Sequence, residues 1–537
     1  MAWIKAATID QLETRPVVLK HAPFQVLVLR SGGELYAVDN RCPHEGYPLA
    51  EGTLAPESAV LTCNWHNWKF RLSDGHCLLG GDNVRTYPVR VEDGDVFVDL
   101  SRRDPADSER RILAGLKLAF DERDFGRVCR EIARLEYEGL PSVTAVRQAV
   151  RWWHDRLEFG TTHAMAAMVD WLDLGARWSR DRERNLICLS EAVDHFSFDA
   201  LRQPHFPYPE SGEPFSFGPF VEFIEAEHVG DAEAMVRRGL ADGLAWNDME
   251  EAFIAASLDH YNSFGHCLIY VSKMRGAVDA LGPDMLPFLA LPLVRTIGFA
   301  TREDRVPEFR AYRSVVEALP DPIGVGDVGA SHQELSNREA LAAPFPSTLA
   351  ESFSWLGDVM GRYPVGFVYD ALLEALARNM LHCDLSYDTA SDRPVSQNVG
   401  WLDFTHGITF ANAVRVTAAR YPRFWKPGLA QMACFLGRNS AFIDRGLDTI
   451  PWKVSDPERF LESTFEGLLD HGLRDPIFPA HLLKTSVAVR DELSPASGPC
   501  RDALLASLNR LVHSPIKMKH VRRNVRQAMA LVSRDYA

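Results

Sequence analysis

Two short Cys/His pairs, Cys42-Pro43-His44 and Cys63-Asn64-Trp65-His66, constrain this chain more than any other feature. Each brings a thiol and an imidazole within reach of one centre, and the stretch from Glu45 to Thr62 sets the pairs on two separate loops. Structural zinc sites are dominated by Cys-x-x-Cys spacings, which neither pair has. Two thiolates and two imidazoles, divided evenly between two loops, suit a centre whose two halves take different ligands. A structural zinc ion is the alternative occupant of the same four side chains.

These residues resemble Rieske [2Fe-2S] ferredoxin domains. The resemblance implies that Cys42 and Cys63 hold one iron and His44 and His66 the other, and that the centre transfers one electron at a time. Some Rieske proteins of respiratory complexes tie the two loops with a disulfide; Tyr47 and Trp65 stand at those places here. With Trp65 and Trp68 in the second loop, the resemblance implies the lower-potential ferredoxin and oxygenase type.

At 537 residues the chain is too long for one ordinary core. A net charge of -15 excludes a phosphate-neutralising surface, so neither nucleic acid nor an anionic membrane is an expected partner. The start, Met1-Ala2-Trp3-Ile4-Lys5, shows no basic-then-apolar leader, and the most apolar run, Met285 to Val294, contains two prolines and is too short to span a bilayer. A cytoplasmic protein is the expectation. The seven other cysteines are scattered and odd in number, as free thiols would be.

Alternation with a period of two predicts a small antiparallel β domain over residues 1–100. Ser31-Gly32-Gly33-Glu34, Ser73-Asp74-Gly75 and Asp93-Gly94 mark its hairpin turns. A polar, proline-containing linker follows at 101–110. From 111 to 537 the apolar period changes to that of helices, which predicts a large, mainly α-helical catalytic domain. The irregular stretches Phe196 to Phe220 and Pro322 to Ser347 are long enough to act as lids over a substrate.

A Rieske domain fused to a second domain implies that the electron is used within the protein. The usual Rieske oxygenase catalytic domain, with two ligand histidines five residues apart, does not fit: no two histidines here have that spacing, and the helical region shows little strand pattern. Four histidines instead sit inside apolar helical patterns: His163, His266, His406 and His481. Any one alone reads equally as a core histidine with a hydrogen-bond partner; four together point to a metal. Lys484 lies three residues after His481 on the same helix face, where an apolar flank lowers a lysine pKa. A neutral amine can take up carbon dioxide and supply an anionic carbamate oxygen. A lysine snorkelling to the surface is the alternative. His260, six residues before His266, is a candidate supporting residue for catalysis.

The segments Thr162-His163-Ala164, Gly265-His266-Cys267-Leu268-Ile269, Thr405-His406-Gly407-Ile408-Thr409 and His481-Leu482-Leu483-Lys484 resemble the questin oxidase-like proteins. These are helical, flavin-independent oxygenases of polycyclic aromatic polyketides. The resemblance implies a mononuclear Fe(2+) held by His163, His266, His406 and His481, with Lys484 as carbamate ligand and catalytic residue. It implies an oxidoreductase that uses O2 on an organic, aromatic or polyketide-like substrate.

No flavin or nicotinamide signature is present, so an external ferredoxin or NAD(P)H-dependent reductase is the expected electron donor. By analogy with Rieske oxygenases, which pass electrons across subunit contacts, a homo-oligomer is expected. Two other readings stay open. One is an electron carrier whose helical region is a non-catalytic docking scaffold. The other is a di-iron oxidase built on Glu225-Ala226-Glu227-His228 and Asp403-Phe404-Thr405-His406.

Overall fold

The computed structural model describes residues 3–101, 104–324, 341, 343–496 and 498–533. Most of the stretch from Pro322 to Ser347, expected as a lid, therefore lies outside the described residues. The chain divides into two compact units, Met1–Ser142 and Val143–Ala537.

The first unit is an antiparallel β domain of three small sheets. One joins β1 (Trp3–Thr8), β10 (Asp95–Asp99) and β9 (Val89–Glu92), and a second joins β2 (Val17–His21), β3 (Phe24–Ser31) and β4 (Glu34–Asp39). The third runs in order through β5 (Thr53–Ala55), β6 (Val60–Thr62), β7 (Lys69–Arg71) and β8 (Cys77–Leu79). The β3–β4 hairpin closes with Ser31 opposite Glu34; Gly32 and Gly33 between them both have positive φ, +59° and +87°, the turn that matches strand twist.

Strand β3 is buried on both faces. Val26 and Val28 pack with Val96 and Val98, while Leu27 and Leu29 pack with Cys42, Cys63 and Phe70. Period two thus divides one strand between two cores.

The unit boundary falls after Ser142 and not in the polar connector at 101–110, because two helices stay with the β domain. Pro105–Glu122 is capped by Asp104, and Phe125–Glu138 by Asp124. They pack on each other, and Arg134 of the second reaches Asp82 at 2.8 Å. Asp82 is only 4% exposed, so this ion pair ties the helices to the end of the domain just past β8.

The second unit is helical. Long apolar runs of helical period are broken into two helices where glycine or proline stands: at Gly243, at Gly361 and Pro364, and at Pro515. Four helices form its centre. His163–Arg177 packs on His266–Leu281, that helix on Trp401–Arg420, that one on Ile477–Leu493, and the last returns to the first, closing a ring. No described helix is long and apolar enough to cross a membrane.

Candidate cluster and metal centres

The loops carrying the Cys/His pairs are the same turn built twice. The Cys42 N–H donates to the Tyr47 carbonyl (2.9 Å) and the Gly46 N–H to the Cys42 carbonyl (2.8 Å). In the second loop the Cys63 N–H donates to the Trp68 carbonyl (2.8 Å) and the Asn67 N–H to the Cys63 carbonyl (3.0 Å). Both turns need a left-handed residue at the same place. Gly46 (φ +75°) and Asn67 (φ +61°) supply it, being of the residue types that adopt it most readily.

These turns bury Cys42 and Cys63 and leave His44 and His66 at the rim with Nδ1 atoms 3.0 Å apart. Trp68 stacks on His44 (ring centroids 4.7 Å apart) and Trp65 on His66 (5.4 Å). Tyr47 and Trp65, where other proteins have the disulfide, pack edge to face at 5.4 Å. Burial pushes the Cys42 thiol up to about 11; a backbone bond at His44 works against this and the adjacent Cys63 adds to it. Adjacent buried thiols and facing imidazole nitrogens are a donor set short of a cation. It fits a [2Fe-2S] cluster with Cys42 and Cys63 on one iron and His44 and His66 on the other.

The four histidines singled out in the helical region converge, with one ring nitrogen of each within 4.8 Å of the others. Each is placed by a local device. His163 opens its helix, where the Thr162 side chain accepts from the Ala164 N–H. His266 opens another after Ser263, Phe264 and Gly265, all with positive φ. His406 and His481 lie within helix interiors.

His163 Nε2 is 3.0 Å from His266 Nε2, and His406 Nε2 is 3.2 Å from His481 Nε2. His266 Nδ1 bonds the Ser263 carbonyl and His481 Nδ1 the Ile477 carbonyl (2.7 Å). A carbonyl accepts only from N–H, so these protons sit on Nδ1 and the Nε2 lone pairs face inward. Nitrogens at these separations either share a proton within each pair or take a cation between them. Burial first, then neighbouring charges including Lys484, hold His163, His406 and His481 well below the ordinary histidine value and His266 down to about 4. All four are therefore neutral imidazoles, the form a metal requires.

Lys484 is 2% exposed and its Nζ has no hydrogen-bond partner. Burial lowers it to about 7, against the attraction of Asp170. It is not a snorkelling surface lysine. Sequence reasoning missed Asp170, which is 1% exposed and bonded to Lys273 at 2.6 Å. The signal was available: a carboxylate two turns after His163 in an apolar helix is as anomalous as the histidine itself.

His260 does not support His266. Its Nδ1 meets Glu303 at 2.8 Å and its Nε2 meets Glu225 at 2.6 Å, so neither nitrogen remains for a neighbouring histidine. Glu303, 43 residues downstream, could not be paired with it by spacing. The di-iron arrangement also fails to assemble. Glu225 is engaged by His260, the His228 side chain is 61% exposed, and Asp403 is taken by the Gly400 N–H and by Arg438. In the stretch Phe196 to Phe220, expected as a lid, Arg295 holds the Phe206 and Pro207 carbonyls, and Tyr208 donates to the His154 carbonyl.

Comparison with known proteins agrees with the first centre. Residues 2–88 match the family described as Rieske [2Fe-2S] domain. The 3-phenylpropionate/cinnamic acid dioxygenase ferredoxin subunits of Escherichia coli K12 and Shigella sonnei are each 39% identical over 97 residues, 18% of this chain and 83% of theirs. Among solved structures, the ferredoxin of carbazole 1,9a-dioxygenase from Nocardioides aromaticivorans IC177 is 29% identical, with 19% of this chain and all of that one covered and a TM-score of 0.18. All three similarities lie in the β domain. Through that domain the chain belongs to the Rieske [2Fe-2S] family.

Proposed function

We propose that this chain is a two-centre oxidoreductase: a Rieske-dependent, non-heme iron oxygenase acting on an organic substrate. Cys42, Cys63, His44 and His66 would hold the cluster, and His163, His266, His406 and His481 an Fe(2+) ion. The cluster supplies single electrons and the iron supplies O2 activation. The observation that carries the reading is the inward convergence of four neutral imidazoles whose Nδ1 protons, in two of them, are committed to backbone carbonyls.

The protein's own residues perform distinct tasks around this set. The carbonyls of Ser263 and Ile477 orient His266 and His481, as supporting groups do in metal sites generally. Lys484, unpaired among the described residues and buried, presents an amine of which about half is neutral near pH 7, and the neutral form adds to carbon dioxide with loss of one proton to give a carbamate. That anion would add the oxygen ligand an all-histidine site lacks. An external ferredoxin or reductase would deliver electrons, and the dioxygenase ferredoxin subunits among the relatives support such a chain.

The deciding measurement is iron against acid-labile sulfide in anaerobically purified protein, with EPR of the reduced state. About three irons per two sulfides are expected, falling to about two in His481→Ala with the cluster signal unchanged. Lys484→Met should retain less of the third iron, and added acetate should restore part of it. Two irons in the wild type, with added ferrous iron failing to bind, would leave an electron carrier on a helical scaffold.

A further inference from the structure

A cavity of about 200 Å³ lies against His481, walled by Phe478, Leu482, Leu511 and Ile516. It is somewhat larger than the ~150 Å³ apolar hole that takes up benzene in another protein. Its rim carries two donors that nothing satisfies. Trp401 is 4% exposed and its Nε1–H has no acceptor. Arg523 is 9% exposed, its Nε–H has no acceptor among the described residues, and its Nη1 donates to the Tyr387 carbonyl at 3.2 Å. Among the described residues Arg523 has no ion pair.

The charges at the rim are not all locked in direct pairs. Lys517 and Arg523 are cationic; Asp388 lies 3.5 Å from His520, with Arg523 and Lys517 acting on it from further away, whereas Asp403 is paired with Arg438 at 3.1 Å. An almost fully buried guanidinium with a free N–H, beside a free indole N–H, is costly unless an acceptor arrives. Planar, forked donors of this kind match a carboxylate.

We infer that this cavity is the chamber for a substrate that joins a single aromatic ring, or an apolar body of that size, to a carboxylate. The carboxylate meets Arg523 and the Trp401 Nε1–H, and the ring lies between Phe478 and Leu482 beside His481. The assignment rests on the iron reading for its chemistry, while the binding itself does not. Arg523 sets specificity by charge and fork geometry, and Trp401 fixes the orientation of the acid.

The test is calorimetric titration of the full-length, iron-loaded protein with benzoate and with its neutral counterpart, benzyl alcohol. Benzoate should bind about tenfold or more tightly than the alcohol. Arg523→Met should erase that preference with the far-ultraviolet spectrum unchanged, and Trp401→Phe should reduce it by a few-fold. Should Arg523→Met fail to fold, Arg523→Lys decides, because it keeps the charge and loses the fork: most of the preference should go. No benzoate binding, no preference in the wild type, or a preference that survives both Arg523 variants overturns the inference. Iron content of the same samples separates the two claims. Preference without a third iron retains the acid site and sinks the iron reading, whereas a third iron without preference does the reverse.

Discussion

At His260 two opposed effects can be weighed. Burial works to lower its pKa, but hydrogen bonds and charge from Glu303 and Glu225 prevail and leave it raised. Asp259 faces it as well, with Arg302 and Arg313 compensating the carboxylates. A histidine whose folded pKa exceeds its unfolded value of about 6.5 contributes stability that is complete below that value and is lost as pH rises through the folded pKa. The wild type should therefore lose thermal stability on going from about pH 6 to pH 9, and His260→Gln should lose less over the same range. Removing the imidazole also leaves Glu303, 2% exposed, without its partner, at a cost of about 3 kcal/mol or more. Melting temperatures of both proteins across that range check sign and size together. The chain announced His260 as unusual but gave no hint of its role, because its partners come from two segments far away in sequence.

Local backbone geometry decides where the ligand histidines point. Gly265 precedes His266 with φ +76°, and a Cβ there would lie 2.5 Å from Phe410 Cδ2 and 3.0 Å from Phe435 Cζ. Gly265→Ala is strained twice over, by conformation and by contact with two buried rings. It should lower stability by about 2 kcal/mol and release iron from the helical unit, because His266 is carried by the next residue. Gly357→Ala is the control: that glycine sits inside the Leu349–Val359 helix with open space around the added carbon, so stability should rise by about 0.5 kcal/mol. Denaturant unfolding and iron assay on both variants compare them directly. At this scale much was legible in the chain. The hairpin glycines, a threonine cap at Thr161 or Thr162 and the four polar intrusions into apolar helices could be read from residue order, since each depends on neighbours within a few positions. That Trp401 and Arg523 line one cavity could not, because a cavity is defined by segments that meet only after folding.

For the molecule as a whole, the unexpected feature is that the residues just past the β domain belong to it. Period-three-and-four apolar spacing reads as helical beyond residue 110, while the start of Pro105–Glu122 read as linker, and periodicity says which face is buried and never against what. The covering is specific. Asp82 receives Arg134 at 2.8 Å and Arg130 at 3.5 Å, and Gly81 approaches Asp124. The neighbouring Gly80 lies beneath Trp68, where a Cβ would fall 2.4 Å from the indole, and Trp68 stacks on His44. The helices thus support the loop end of the domain through a chain of contacts from Arg134 to Asp82, Gly80, Trp68 and His44. A fragment of residues 1–142 should hold its cluster on gel filtration and give a Rieske EPR signal on reduction. A fragment ending at residue 104 leaves Asp82 without either arginine and takes the support from beneath Trp68. It should load less iron and sulfide, lose them faster on warming, and show a changed EPR signal from altered orientation of His44. If both fragments retain the cluster equally, the two helices are passengers on the β domain, and the cluster's stability resides in the paired turns at Cys42 and Cys63 alone.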